Sequence, residues 1–145
     1  MIQRIQSLFL LLAAGGLGSL FALPLVQTKS AIPENPFLED GAYTLLDHPA
    51  LWAVFGLAGL LALVSIFLFK NRKLQMRLVL FALIGILAGV GLSVALLWQA
   101  DWPQELSWQW QAGTFMPLIA ILFLALAYRF IRKDDRLVRS MDRLR

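Results

Sequence analysis

The chain has 145 residues, 59% of them hydrophobic and only 15% charged, with a mean hydropathy of +0.71. That balance lies far from the soluble norm of about a quarter charged, and no polar stretch is long enough to build a core of its own, so the chain belongs in a bilayer. The net charge of +4 does not point to nucleic acid, because the cations cluster beside apolar runs, where anionic lipid headgroups are the nearer partner.

Four runs without Asp, Glu, Lys or Arg before their ends predict membrane spans at about residues 5–26, 50–69, 78–98 and 113–131. The first follows Arg4 and reads "IQSLFLLLAAGGLGSLFALPLV". It is longer than the apolar region of a secretory signal, about 7–15 residues, and lacks a small-x-small cleavage site, so it is expected to stay as helix 1. The loop after it, with "AIPENPFLED", reads as an extended or turn segment because Pro33 and Pro36 fix φ and remove donors. It passes to "TLLDHPALW", where Asp47 or His48 can cap the second span with Pro49 in its first turn. "KNRKLQMR" is short enough to force the second and third spans into an antiparallel hairpin.

The third span carries Gly85, Gly89 and Ser93 at intervals of four, a spacing of small residues that lets helix backbones approach closely in lipid. It is therefore expected to be the span most surrounded by protein, packed within one chain. The fourth span reaches the needed length if Arg129 snorkels. Residues 132–145 then predict an amphipathic basic tail helix, with Leu137, Val138, Met141 and Leu144 on one face and Asp135 four residues before Arg139. Such a helix can lie in the headgroup plane on anionic lipid, or dock a protein partner. Lipid attraction alone does not require Asp134, Asp135 and Asp142.

Orientation follows from the cations. Of the 13, all but Lys29 precede the first span, lie between the second and third, or cluster from Arg129 onward at the end of the fourth. Both termini are therefore expected in the cytoplasm. All five tryptophans fall at or between the opposite ends of the spans, at headgroup level. The predicted fold is all-α, an integral membrane four-helix bundle with cytoplasmic termini and a basic C-terminal helix.

Chemistry is sparse. Proton-coupled transport and intramembrane catalysis need ionisable groups at mid-bilayer depth, and the span interiors offer only hydroxyls such as Ser19, Ser65 and Ser93, which ordinarily bond a carbonyl one turn back. Zero cysteines and one histidine argue against a metal or redox centre. No cofactor, metal or catalytic residue is expected.

The opening "MIQRIQSLFLLLAA", the loop "FKNRKLQMRL" and the tail "IRKDDRLVRSMDRLR" resemble the small four-helix membrane proteins of Bacteroidetes grouped as domain-of-unknown-function family 4293. The resemblance covers essentially the whole chain and implies an integral inner-membrane protein with cytoplasmic termini; it supplies no activity. The expected function is a non-enzymatic subunit, scaffold or accessory of a bacterial inner-membrane assembly. Its docking surface for lipid or a protein partner would comprise Arg72, Lys73, Arg77, Arg132, Lys133, Arg136, Arg139 and Arg143. The alternative is a small transporter or channel for an apolar or amphiphilic solute; a metal enzyme using Glu39, Asp40, Asp47 and His48 comes third.

Overall fold

The computed structural model describes residues 2–29, 31, 35–99 and 108–142. Four helices carry the fold: α1 (Ile2–Ser19), α2 (Pro49–Phe67), α3 (Arg72–Gln99) and α4 (Ala112–Asp142). Three of them are long and apolar enough to cross a membrane, at Pro49–Phe67, Arg72–Gln99 and Ala112–Ser140, whereas the apolar part of α1 is shorter, Ile5–Ser19. These are the helices of a membrane protein.

The first span thus ends earlier than its hydropathy suggested. Beyond Ser19 the chain tightens, with Leu20 N–H donating to Leu17 O and Phe21 N–H to Gly18 O, each an i to i−3 bond. Pro24 follows, and its ring disfavours helical geometry at Leu23. The apolar residues 20–25 are therefore turn, and Val26 opens a strand.

α1 packs between α2 and α4, and α3 closes the ring between the same two helices. Phe9 of α1 stacks on Phe123 and Phe130 of α4 at 6.0 and 5.6 Å. The core repeats at three- and four-residue steps, Ala58, Ala62 and Ser65 on α2 and Val79, Ala82 and Ile86 on α3, which is one stripe per helix. Only 28% of each long apolar window is buried, the same share for α2, α3 and α4. The third span is accordingly no more surrounded by protein than its neighbours, because in a four-membered ring every helix turns one stripe inward.

Opposite the termini, a three-stranded antiparallel sheet caps the bundle, with β1 (Val26–Thr28) between β2 (Ala42–Tyr43) and β3 (Trp108–Trp110). Val26 pairs with both Tyr43 and Trp110. Gly41, at φ +78°, makes the left-handed turn into β2 that a residue with a Cβ would resist. The expected helical bundle stands, with this sheet added where only loop was predicted.

α4 runs unbroken from Ala112 to Asp142. Residues 132–142 of the expected tail continue the fourth helix without a break rather than beginning a separate one. From Leu118 onward the sequence contains no Gly or Pro to interrupt the backbone ladder.

Candidate functional site

The basic residues gather at the end of the bundle that bears the termini, and two ion pairs organise them. Asn71 accepts from Leu74 N–H at 3.2 Å through Oδ1 and so starts α3. That fixes Arg72, whose Nε donates to Asp134 Oδ2 at 2.7 Å with side chains 22% and 15% exposed. The α2–α3 hairpin is thereby fastened to α4 across 62 residues of sequence. One turn further along, Arg139 pairs with Asp135 at 2.7 Å in the i, i+4 order the sequence suggested. Two of the tail's three acids are therefore engaged by the protein's own arginines. Their presence needs no external partner to explain it; Asp134 was the residue a local pattern could not pair.

Lys73 and Arg77 are exposed on α3, and Arg132, Lys133 and Arg136 on α4. Arg143 lies outside the described residues. Arg129, Arg132, Lys133, Arg136, Leu137 and Ser140 line one open basic concavity of about 540 Å³ along α4. It faces away from the bundle, since the buried row of α4 is Ala120, Leu124, Ala127 and Ile131.

The packing residues on α3 meet α2 of the same chain. A Cβ at Gly85 would sit 3.4 Å from Ala58 Cβ, an ordinary contact, whereas one at Gly89 would stand 2.8 Å from the Phe55 ring. Ser93 donates to Gly89 O at 2.8 Å, Ser65 to Ala62 O at 2.7 Å and Ser19 to Gly16 O at 2.8 Å. All three hydroxyls serve their own helices. Gln75, which hydropathy passed over, is 1% exposed and reaches from α3 to Ser65 O of α2 at 3.0 Å, a polar tie between the hairpin's two helices.

At the sheet end, polar groups are likewise spent on local structure. His48 caps α2 by accepting from Ala50 N–H at Nδ1, 3.2 Å, with Pro49 next to it. Asp47 accepts from Thr44 N–H and Oγ1 at 2.6 and 3.0 Å, and Asp40 from Ala42 N–H at 3.1 Å. Glu39, Asp40 and Asp47 border an open concavity of about 440 Å³. Among the described residues, no group of three or more His, Cys, Asp or Glu side chains is arranged to hold a metal.

Tyr43 is fully buried and its hydroxyl donates to Ser93 O at 3.4 Å. Burial first, and then the nearby Asp47 carboxylate, push its phenol up to about 12. Partial loss of water around Asp47 raises that carboxyl as well. Beside Tyr43 lies an apolar cavity of about 100 Å³, bordered by Phe55, Val90, Ser93, Leu97, Thr114 and Pro117 among others. Trp52, Trp98 and Trp110 are exposed around this end; Trp102 and the side chain of Trp108 lie outside the described residues.

No curated protein and no solved structure matches the chain. A family model does, over residues 2–144, and its description assigns no activity. The chain belongs to the family described as Domain of unknown function (DUF4293).

Proposed function

We propose that this protein is a non-catalytic subunit, scaffold or accessory of a larger assembly in a bacterial inner membrane, with both termini in the cytoplasm and a basic surface that docks a protein partner there. The observation that carries the reading is the Arg72–Asp134 pair, which joins the hairpin and the tail into one surface. Lys73 and Arg77 follow Arg72 on α3 and supply exposed cationic contacts for an acidic partner. The concentration of cations at this end agrees with cytoplasmic orientation, because cationic loops are retained on that side during insertion.

Two further observations support an accessory over a small-solute carrier. The hydroxyls of the spans are committed to backbone carbonyls. The apolar cavity at the sheet end, about 100 Å³, is well below the roughly 300–1,000 Å³ of ligand pockets.

The test is to tag the loop between α1 and α2, extract the protein in mild detergent, and identify co-purifying proteins by mass spectrometry. The full chain, a chain ending at Ile131, and the double variant Lys73→Glu with Arg77→Glu are compared. A stoichiometric partner present with the full chain and lost from both others is the expected result. A protein that is solitary in every sample and moves an amphiphile across vesicles unaided would overturn the reading.

A further inference from the structure

α4 carries a continuous exposed track. Phe115, Leu118, Leu122 and Ala125 are exposed on one side of the helix, and the same three- and four-residue steps lead on to Arg129, Arg132 and Arg136, also exposed. The buried row lies on the opposite side. Apolar surface thus turns into cationic surface along a single helix face directed away from the protein.

Depth sets where that change falls. A hydrocarbon layer of about 30 Å takes about 20 residues of helix. Counted from Ala112, where α4 begins, the layer ends close to Arg132. Arg129, Arg132, Lys133 and Arg136 therefore stand at the phosphates of the leaflet on the terminus-bearing side, Ala125 lies along the acyl chains of that same leaflet, and Leu122 stands near its midplane end. The ion pairs sort the cations further: Arg72 and Arg139 are held by Asp134 and Asp135, while the concavity of about 540 Å³ is bordered by four cations and no acid.

We propose that this track is a binding site for an anionic phospholipid, its phosphate held by Arg129, Arg132, Lys133 and Arg136 and one acyl chain lying over Ala125 and Leu122. Arginine suits the role, since its planar fork donates two parallel bonds to phosphate oxygens and stays charged at any physiological pH. The site does not use Lys73 and Arg77, so the double variant of those two residues tests the protein-docking reading while leaving this site in place. The lipid is the committed source of phosphate because the cations adjoin an apolar strip that a soluble anion would leave uncovered.

The full chain is purified, mixed with phosphatidylglycerol or phosphatidylcholine of identical chains, and the bound lipid is read by native mass spectrometry. Wild type should retain phosphatidylglycerol in preference. Neutralising Arg129, Arg132 and Arg136 together to Gln should weaken that retention on the order of a hundredfold, from roughly a tenfold factor or less per cation. Neutralising Lys29 and Lys70 together to Gln removes cations outside both surfaces and should change it by less than about threefold. Equal loss in both variants, or no preference in wild type, would overturn the site. Displacement of the lipid by excess inorganic phosphate would assign the cations to a soluble anion and overturn it too.

A readout without variants guards against misfolding. Phosphatidylglycerol with a photoreactive acyl chain should label residues 122–125 of wild-type α4 above the level given by photoreactive phosphatidylcholine. Labelling spread evenly over the exposed faces of α2, α3 and α4 would sink the proposal.

Discussion

The two ends of the bundle are held by different forces. At the sheet end, backbone meets backbone: Leu25 donates to Tyr43 O at 2.8 Å, Gln111 N–H to Leu25 O at 3.2 Å, and Thr114 Oγ1 donates to the same Leu25 carbonyl. At the terminus-bearing end, charged side chains meet: Arg72 with Asp134 and Arg139 with Asp135. Backbone pairs in a buried network are insensitive to salt and exclude other partners, whereas ion pairs partly open to solvent are screened by salt. The contrast teaches where the protein is closed and where it is available. Among the described residues, Asp40, Asp47 and His48 at the sheet end are engaged by backbone or neighbouring groups, while the basic end has cations beyond those its acids engage.

The largest expected effect breaks the sheet end. Gly113 opens α4 against the turn that ends the first helix, and a Cβ there would fall on the Pro24 carbonyl oxygen and within 2.8 Å of its carbon. Backbone cannot swing aside as a side-chain tip can. Gly113→Ala should cost more than about 3 kcal/mol, read from the midpoint of denaturant unfolding in detergent; a loss under about 1 kcal/mol would mean the turn yields freely. Next comes Gly89→Ala, which presses on the fully buried Phe55 ring and should cost about 1–3 kcal/mol. Gly15, with nothing within 4 Å of a built Cβ, is its control: Gly15→Ala should leave stability unchanged or raise it by up to about 1 kcal/mol. A Gly89→Ala protein as stable as the Gly15 variant would show that Phe55 can move.

A smaller effect belongs to the basic end. A double-mutant cycle on Arg72→Gln and Asp134→Asn should give a coupling of about 1 kcal/mol that shrinks as salt is added. A coupling of zero at low salt would detach the hairpin from the tail and remove the basis for treating them as one surface.

How far these features were legible in the sequence follows from how local they are. The long apolar runs, the His48–Pro49 cap, the back-bonding hydroxyls and the Asp135–Arg139 pair are all local patterns, and the structure contains each of them. The early end of α1 was obscured because residues 20–25 remain apolar, and hydropathy does not distinguish turn from helix; Pro24 was the available signal. Strands of two and three residues have no period to detect, and their ties join residues as far apart as Gln27 and Gln111. Arg72 and Asp134, similarly distant, are one possible pairing among many in a charged chain. The unbroken α4 could have been anticipated from the missing Gly and Pro, but the change from apolar to charged composition invited a boundary there.

The smallest effect, and the sharpest on sign, concerns Tyr43. Its hydroxyl reaches Ser93 O across a long 3.4 Å, so Tyr43→Phe should cost no more than about 1 kcal/mol near neutral pH. Alkali reverses the order. The phenol ordinarily titrates at 10.0, and in the folded protein it is pushed up to about 12. Below pH 10 both forms of the chain keep it neutral and the wild type has its full stability. Between those values the unfolded chain ionises while the buried phenol does not, so folding must hold a proton that the unfolded chain releases, and wild-type stability falls with rising pH. The Phe variant has no such term. Unfolding midpoints measured in detergent from pH 8 upward should therefore converge and then cross in favour of Tyr43→Phe. Parallel curves would mean that Tyr43 opens to solvent, and with it the sheet end that is here the closed half of the molecule.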